Sequence, residues 1–231
     1  MGQVCTATSR LYVQDTIYEK FLEAFKKQTK ENTNIGSQFE SATNHGPQVS
    51  KAAQEKILSY IESGKSEGAK LIHGGTQSGI PDKGYFVEPT VFANVNNDMK
   101  IVKEEIFGPF VVIQSFKTED EAVSKANDSE FGLGAAVFTK DIMRGHRVAG
   151  AIEAGMVWVS NIAHVYLVGP ANNLADQQLA RFTLRHSVRW LQAERYRTRV
   201  GTVCAVFLHA GKSCSCEPGY ILIVLGGTYK S

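Results

Sequence analysis

The chain has 231 residues, of which 43% are hydrophobic and 21% are charged, as in ordinary soluble globular proteins. Its most apolar segment, YILIVL at 220–225, is too short to span a membrane. Residues 1–10, MGQVCTATSR, lack the basic and apolar regions of a signal peptide. We therefore expect a cytoplasmic protein, and the formal net charge of +2 excludes no class of partner.

Charge divides the chain into two unequal parts, residues 1–162 and residues 163–231. The first part holds 17 lysines and arginines against 20 acidic residues, whereas the second holds 8 against 3. Lysine is the commoner base in the first part and arginine in the second, which also holds three of the four cysteines. Such a break is typical of a domain with a basic tail, or of two parts that were not shaped by the same selection.

Short apolar runs alternate with amphipathic segments along residues 1–162, and each type predicts one kind of element. The predicted strands are 11–13, 69–75, 86–92, 109–116, 135–138 and 156–159. The predicted helices are 15–30, 47–63, 118–127 and 141–150. Asp15 is the expected cap of the first helix, and Thr118 with Glu121 forms a capping box for the third. This alternation predicts an α/β fold with a mostly parallel sheet and flanking helices.

Residues 163–231 show no period of 2 or 3.6, and RFTLRHSVRWLQAERYRTRV at 181–200 places arginine in every register. Because its local signals conflict, we expect this part to be an irregular or disordered tail. Taken alone, HSVRWLQAERYRTRVG at 186–201 resembles an arginine-rich nucleic-acid contact. A non-enzymatic binding module with a basic tail is therefore an alternative to an enzyme.

Two short segments could carry chemistry. Cys5 stands alone before a predicted strand, where a thiol is either a nucleophile or a small buried hydrophobe. KEEIFGP at 103–109 leads an acidic pair into a Phe-Gly-Pro turn. A carboxylate there could accept hydrogen bonds from ribose hydroxyls, or the pair could simply be solvated.

Other patterns give no site. GLGAAV at 132–137 lacks the third glycine of a dinucleotide fingerprint, so we interpret it as a loop entering a strand. The histidines do not have the spacing of metal ligands, and Cys214-x-Cys216 lacks a second ligand pair. We therefore expect no metal site.

Six segments, in their order and spacing, resemble the aldehyde dehydrogenase superfamily over residues 2 to about 160. They are GQVCTATSRLYV, GPQVSKAAQEKILSYI, KGYFVEPTVF, KEEIFGPFVVI, EAVSKANDSEFGLGAAVFT and GMVWV. The resemblance implies that residues 1–162 form a partial catalytic domain of an enzyme that oxidises aldehydes to carboxylic acids. It implies NAD or NADP as the cofactor and a small aldehyde as the substrate.

The resemblance also implies roles for four residues. Cys5 matches the nucleophile that attacks the aldehyde carbonyl and forms first a thiohemiacetal and then a thioester. Glu105 matches the carboxylate that holds the nicotinamide ribose, and Phe107 matches the aromatic residue beside the nicotinamide. Lys56 matches a second ribose contact, although Ala53 occupies a position that is polar in the family.

In the family, the dinucleotide domain and the general-base glutamate precede the cysteine, whereas Met1 lies four residues before Cys5. We therefore expect an incomplete catalytic domain without dehydrogenase activity. The family is homo-oligomeric, and we expect the segment that builds the oligomer to be absent from this reading frame.

A shift of the reading frame in the tail is inferred from the codons that could encode residues 186–201. One permitted codon choice, read one nucleotide later, encodes IPFGGFKQSGIGREL, which is the motif the family shows at this distance. LHAGKSC at 208–214 similarly yields YTQVKA, which resembles the family's C-terminal strand. Fifteen consecutive matches are hard to obtain by chance. We therefore predict that residues 163–231 are an out-of-frame tail without a domain, in which glycine codons have become arginine codons. Its origin is either a frameshift or a retained intron with a mis-called splice site, which would suit the unmatched stretch IAHVYLVGPANNLADQQ.

Overall fold

The computed structural model describes residues 1–37, 39–78, 84–161, 164–168 and 221–226. The strands in these ranges are β1 (Thr8–Gln14), β2 (Lys70–His73), β3 (Thr90–Ala93), β4 (Phe110–Phe116), β5 (Gly134–Thr139), β6 (Met156–Asn161), β7 (His164–Val168) and β8 (Ile221–Gly226). The α-helices are α1 (Tyr18–Asn32), α2 (Lys51–Ser66), α3 (Lys100–Lys103), α4 (Glu119–Asn127) and α5 (Ile142–Ala151). None of these helices has both the length and the hydropathy needed to cross a membrane.

All eight described strands belong to one sheet, in the order β2-β3-β4-β1-β8-β5-β6-β7. β1 and β3 each pair in parallel with β4, and β5 pairs in parallel with β6. β8 is antiparallel to both of its neighbours, β1 and β5, so those two strands share a direction. Five of the eight described strands therefore run the same way, which confirms the predicted α/β fold with a mostly parallel sheet.

Helices cover both faces of this sheet because successive strand residues point to opposite sides. Leu11 and Val13 of β1 pack with Phe21 and Phe25 of α1 on one face. Tyr12, the residue between them, belongs to the cluster formed with α4 and α5 on the other face. α2 also lies on this second face, over β3 and β4. The predicted flanking helices are thus confirmed.

One predicted cap is wrong and one is confirmed. Asp15 lies in a short 3-10 turn, Asp15–Ile17, and α1 begins only at Tyr18. The buried Tyr18 hydroxyl donates to the Ile113 carbonyl at 3.1 Å, so a contact with the sheet fixes this helix start instead of a side-chain cap. Thr118 Oγ1 accepts from the Glu121 amide at 3.2 Å at the start of α4, as predicted.

The predicted tail, residues 163–231, contributes two described segments to the sheet. β7 pairs with β6 at the edge, and β8 lies between β1 and β5. Most of the tail, including the arginine-rich stretch at 186–201 and Cys204, lies outside the described residues. The domain boundary at 162 stays a prediction.

Candidate active site

Cys5 lies in a tight turn directly before the sheet. The Ala7 amide donates to the Val4 carbonyl at 2.9 Å and closes the turn, and β1 begins one residue later. β1 is paired on both sides, by β4 and by β8, so the turn extends from a fixed internal strand. The side chain of Cys5 is exposed, which excludes the small buried hydrophobe considered above.

A second turn, at residues 105–108, leads from α3 into β4. Phe107 has φ of +59°, a left-handed conformation that costs a residue with a Cβ about 1–2 kcal/mol. Its side chain is nevertheless 43% exposed, so burial of the ring does not account for the strain. Strained backbone of this kind is concentrated at functional sites, where the surrounding structure holds it in place.

The two turns touch through glycine. Gly2 has φ of +70°, and a Cβ built on it would overlap the carbonyl of Gly108. A pocket opens beside this contact, between residues 2–10 and residues 101–110. Val4 and Ala7 of the cysteine turn line one side of the pocket, and Glu105 and Phe107 line the other. The structure therefore brings the cysteine turn and two of the predicted cofactor residues to one pocket.

Helix α2 contacts the acidic pair, Glu104 and Glu105, through two hydrogen bonds. Lys56 Nζ donates to the backbone carbonyl of Glu105 at 3.1 Å. One helical turn later, the Tyr60 hydroxyl donates to Glu104 Oε2 at 2.5 Å. Residues four apart lie on the same face of a helix, so both contacts come from one side of α2. Lys56 thus reaches the site through the main chain of Glu105.

Arg10 is a residue of the pocket that sequence reasoning missed. It lies on β1 with only 3% of its surface exposed, and its guanidinium carbon lies 4.4 Å from the centre of the Phe131 ring. Burial lowers the pKa of Arg10, and the nearby Glu105 opposes that shift. Because arginine keeps its proton even so, the pocket carries a buried positive charge. The signal in the sequence was an arginine leading the apolar run LYV.

These features define an α/β domain with an exposed cysteine on a turn beside an acid-lined pocket. Residues 1–170 match the model of the aldehyde dehydrogenase family. The chain belongs to this family, and the match extends beyond residue 160, where the resemblance of the motifs ends.

Three relatives illustrate the similarity. The chain is 49% identical over 164 residues to the betaine aldehyde dehydrogenase of Brucella anthropi, an alignment that covers 69% of this chain and 33% of that one. It is 52% identical over 159 residues to retinal dehydrogenase 2 of Taeniopygia guttata, which covers 69% and 30%. The crystal structure of Staphylococcus aureus betaine aldehyde dehydrogenase with NAD+ superposes with a TM-score of 0.66 at 44% identity, covering 68% and 32%. The chain spans about a third of the length of the relatives it matches.

Proposed function

We propose that this chain carries the cysteine side of an aldehyde dehydrogenase active site. The Cys5 sulfur bonds to the carbonyl carbon of an aldehyde, and the carbonyl oxygen becomes the hydroxyl of a thiohemiacetal. Loss of hydride from that carbon, together with loss of the hydroxyl proton, gives a thioester, from which water releases the carboxylic acid and restores the thiol in the complete enzyme. The observation that carries the proposal is the exposed cysteine turn against the pocket of Glu105 and Phe107.

The residues of this pocket fit a nicotinamide cofactor, NAD or NADP, which would accept the hydride when bound. The carboxylate of Glu105 has the acceptor oxygens that ribose hydroxyls need. Lys56, held against the main chain of Glu105, supplies a donor beside it. The exposed ring of Phe107 offers a flat apolar face to a nicotinamide. The Staphylococcus aureus relative was crystallised with NAD+, which supports the same class of cofactor here.

The role of Cys5 can be tested without a cofactor. An activated ester such as p-nitrophenyl acetate transfers its acetyl group to a nucleophilic thiol and releases p-nitrophenolate. The backbone amide of Cys5 would stabilise the oxyanion of that step only in the folded turn. We expect Cys5 to be acetylated about tenfold faster in the chain than in a synthetic peptide of residues 1–10.

The measurement follows the tryptic peptide 1–10 by mass spectrometry, because the chain has three other cysteines. Cys5→Ala is the control for p-nitrophenolate released elsewhere. Equal rates in the folded chain and in the peptide would overturn the assignment of Cys5 as the nucleophile.

The complete dehydrogenase reaction is expected to be absent from the 231 residues by themselves. They cover 33% of a relative such as the Brucella anthropi enzyme, and the thioester also needs an activated water to be hydrolysed. Aldehydes should therefore produce no NADH with the purified chain. NADH formation that is lost in Cys5→Ala would contradict this proposal.

The out-of-frame origin of residues 163–231 is part of the same proposal. It is supported by the codons that residues 186–201 permit, whereas the match to the family model extends to residue 170. Genomic and transcript sequences across codons 155–220 test it directly. A continuous reading frame in independent transcripts, without a missed splice site or shift, would refute it.

A further inference from the structure

We propose that Gln3 is a positioning residue for Cys5, an inference that rests on the proposed role of Cys5 as nucleophile. Gln3 lies two residues before the cysteine. Its Oε1 accepts a hydrogen bond from the backbone amide of Val49 at 2.9 Å. This bond ties the segment that carries Cys5 to a part of the chain 46 residues away.

The bond ends at the start of helix α2. Val49 directly precedes Ser50, the residue that caps α2 by accepting from the Ala53 amide at 3.2 Å. Packing of the Val49 side chain does not fix the backbone at this position, because the residue is 80% exposed. The neighbouring backbone is held instead, since the Gln48 amide donates to the Tyr85 carbonyl at 2.8 Å. Gln3 is therefore attached to a fixed main-chain position.

Helix α2 also contacts the opposite side of the pocket. Lys56 donates to the Glu105 carbonyl, and a Cβ built on Gly108 would overlap the side chain of Ile57. Gly108 in turn packs against Gly2. These contacts connect three segments, residues 2–3, 49–57 and 105–108, each to the other two. The Gln3 bond lies two residues from Cys5 and joins residues 2–3 to residues 49–57.

This arrangement explains why a glutamine two residues from the thiol matters without touching substrate. Its amide oxygen accepts from the backbone of Val49, so the bond constrains the segment that leads into the cysteine turn. A displacement of the nucleophile by about 1 Å can cost up to a hundredfold in rate. Because the bond is at the surface, water can replace Gln3 as the partner of Val49, and the fold does not depend on it.

The experiment compares three substitutions in the full chain. Gln3→Met keeps the length of the side chain but loses the amide oxygen, whereas Gln3→Glu keeps an acceptor that the start of α2 favours. Gln28→Met is the matched control, because Gln28 Oε1 also accepts one hydrogen bond, from Asn32 at 2.8 Å within α1. The readouts are acetylation of Cys5 by p-nitrophenyl acetate and hydrogen exchange of the Val49 and Ala7 amides.

We expect Gln3→Met to slow acetylation of Cys5 about threefold or more and to speed exchange of both amides. Gln3→Glu and Gln28→Met should stay within about twofold of the unsubstituted chain. An unchanged acetylation rate in Gln3→Met, or an equal loss in Gln3→Glu, would overturn the inference.

Failure of the proposed function gives a different result. If Cys5 in the unsubstituted chain reacts no faster than in the peptide, the nucleophile assignment is wrong. The Ala7 amide then decides about Gln3, since it donates to Val4 within the cysteine turn. Unchanged exchange of Ala7 in Gln3→Met would show that Gln3 does not position this turn.

Discussion

His45 links the stability of the fold to pH. It is fully buried, its Nε2 donates to the Val87 carbonyl at 3.0 Å, and burial lowers its pKa from 6.5 to about 4. Between these two values the unfolded chain binds a proton that the folded chain does not. The free energy of unfolding should therefore fall by about 2 kcal/mol from pH 7 to pH 5 because of this residue.

Urea denaturation at the two pH values measures this effect. The difference between the original chain and His45→Gln isolates His45, since burial also lowers the pKa of His73 and adds to the slope. His146→Gln, at an exposed position, is the control for replacing a histidine by glutamine. If the free energy of unfolding of His45→Gln depends on pH as strongly as that of the original chain, His45 does not cause the pH dependence.

Phe107 should reverse the usual order of alanine and glycine variants. Both substitutions remove the ring, but only glycine adopts φ of +59° without strain. We expect Phe107→Gly to exceed Phe107→Ala in free energy of unfolding by about 1 kcal/mol. Tyr85, which is 41% exposed and not among the residues with positive φ, is the matched position. There alanine should be the more stable variant, and the same order at both positions would argue against backbone strain.

Single residues show where sequence reasoning reached the site and where it did not. Cys5, Glu105 and Phe107 could be named because each belongs to a short motif. Arg10 and Gln3 could not, because their contacts with Val102 and Val49 join segments that are distant in sequence. A local sequence pattern does not predict which distant segment a loop will contact. The strain at Phe107 was equally hidden, since nothing in the letters requires a phenylalanine to adopt positive φ.

At the scale of elements, α2 positions both the lysine and the tyrosine that hold the acidic pair. Its start depends on Ser50, whose side chain accepts from the Ala53 amide. Ser50→Ala should lower the free energy of unfolding by about 1 kcal/mol. Ser59→Ala, at an exposed position inside the same helix, should instead be neutral or slightly stabilising, because alanine favours helix. Thermal or urea denaturation distinguishes the two, and equal effects would exclude a capping role.

The periodicity of the sequence predicted the elements better than their ends. The helix expected at 47–63 exists, but α2 spans Lys51–Ser66 because its cap is Ser50. α1 likewise begins later than Asp15 because Tyr18 is anchored to the sheet. The four-residue helix α3 was not predicted, since a single turn is too short to show a period. Apolar patterns report which face is buried, whereas an end depends on one hydrogen bond.

At the scale of the whole molecule, β8 is the strand that joins two halves of the sheet. It pairs with β1 over residues such as Leu11 and with β5 over residues such as Val137, and both pairs are antiparallel. Ile223 and Leu225 of β8 are buried in the cluster shared with α4 and α5. The sequence predicted no strand here, because the antiparallel partners lie more than 80 residues away and the surrounding tail has no regular pattern.

The structure places β8 inside the sheet, whereas the sequence predicts that the folded domain ends at residue 162. One truncation experiment distinguishes the two. A chain that ends at residue 220 loses β8, which leaves the exchangeable edges of β1 and β5 without their described partner. If β8 belongs to the fold, this truncation should separate the unfolding of the two halves and speed hydrogen exchange at Leu11 and Val137. A chain that ends at residue 226 keeps β8 and serves as the matched control, with unchanged unfolding. If the shorter chain unfolds as cooperatively as the control, β8 adds nothing to the cooperativity of the sheet, and the fold does not need residues 221–226.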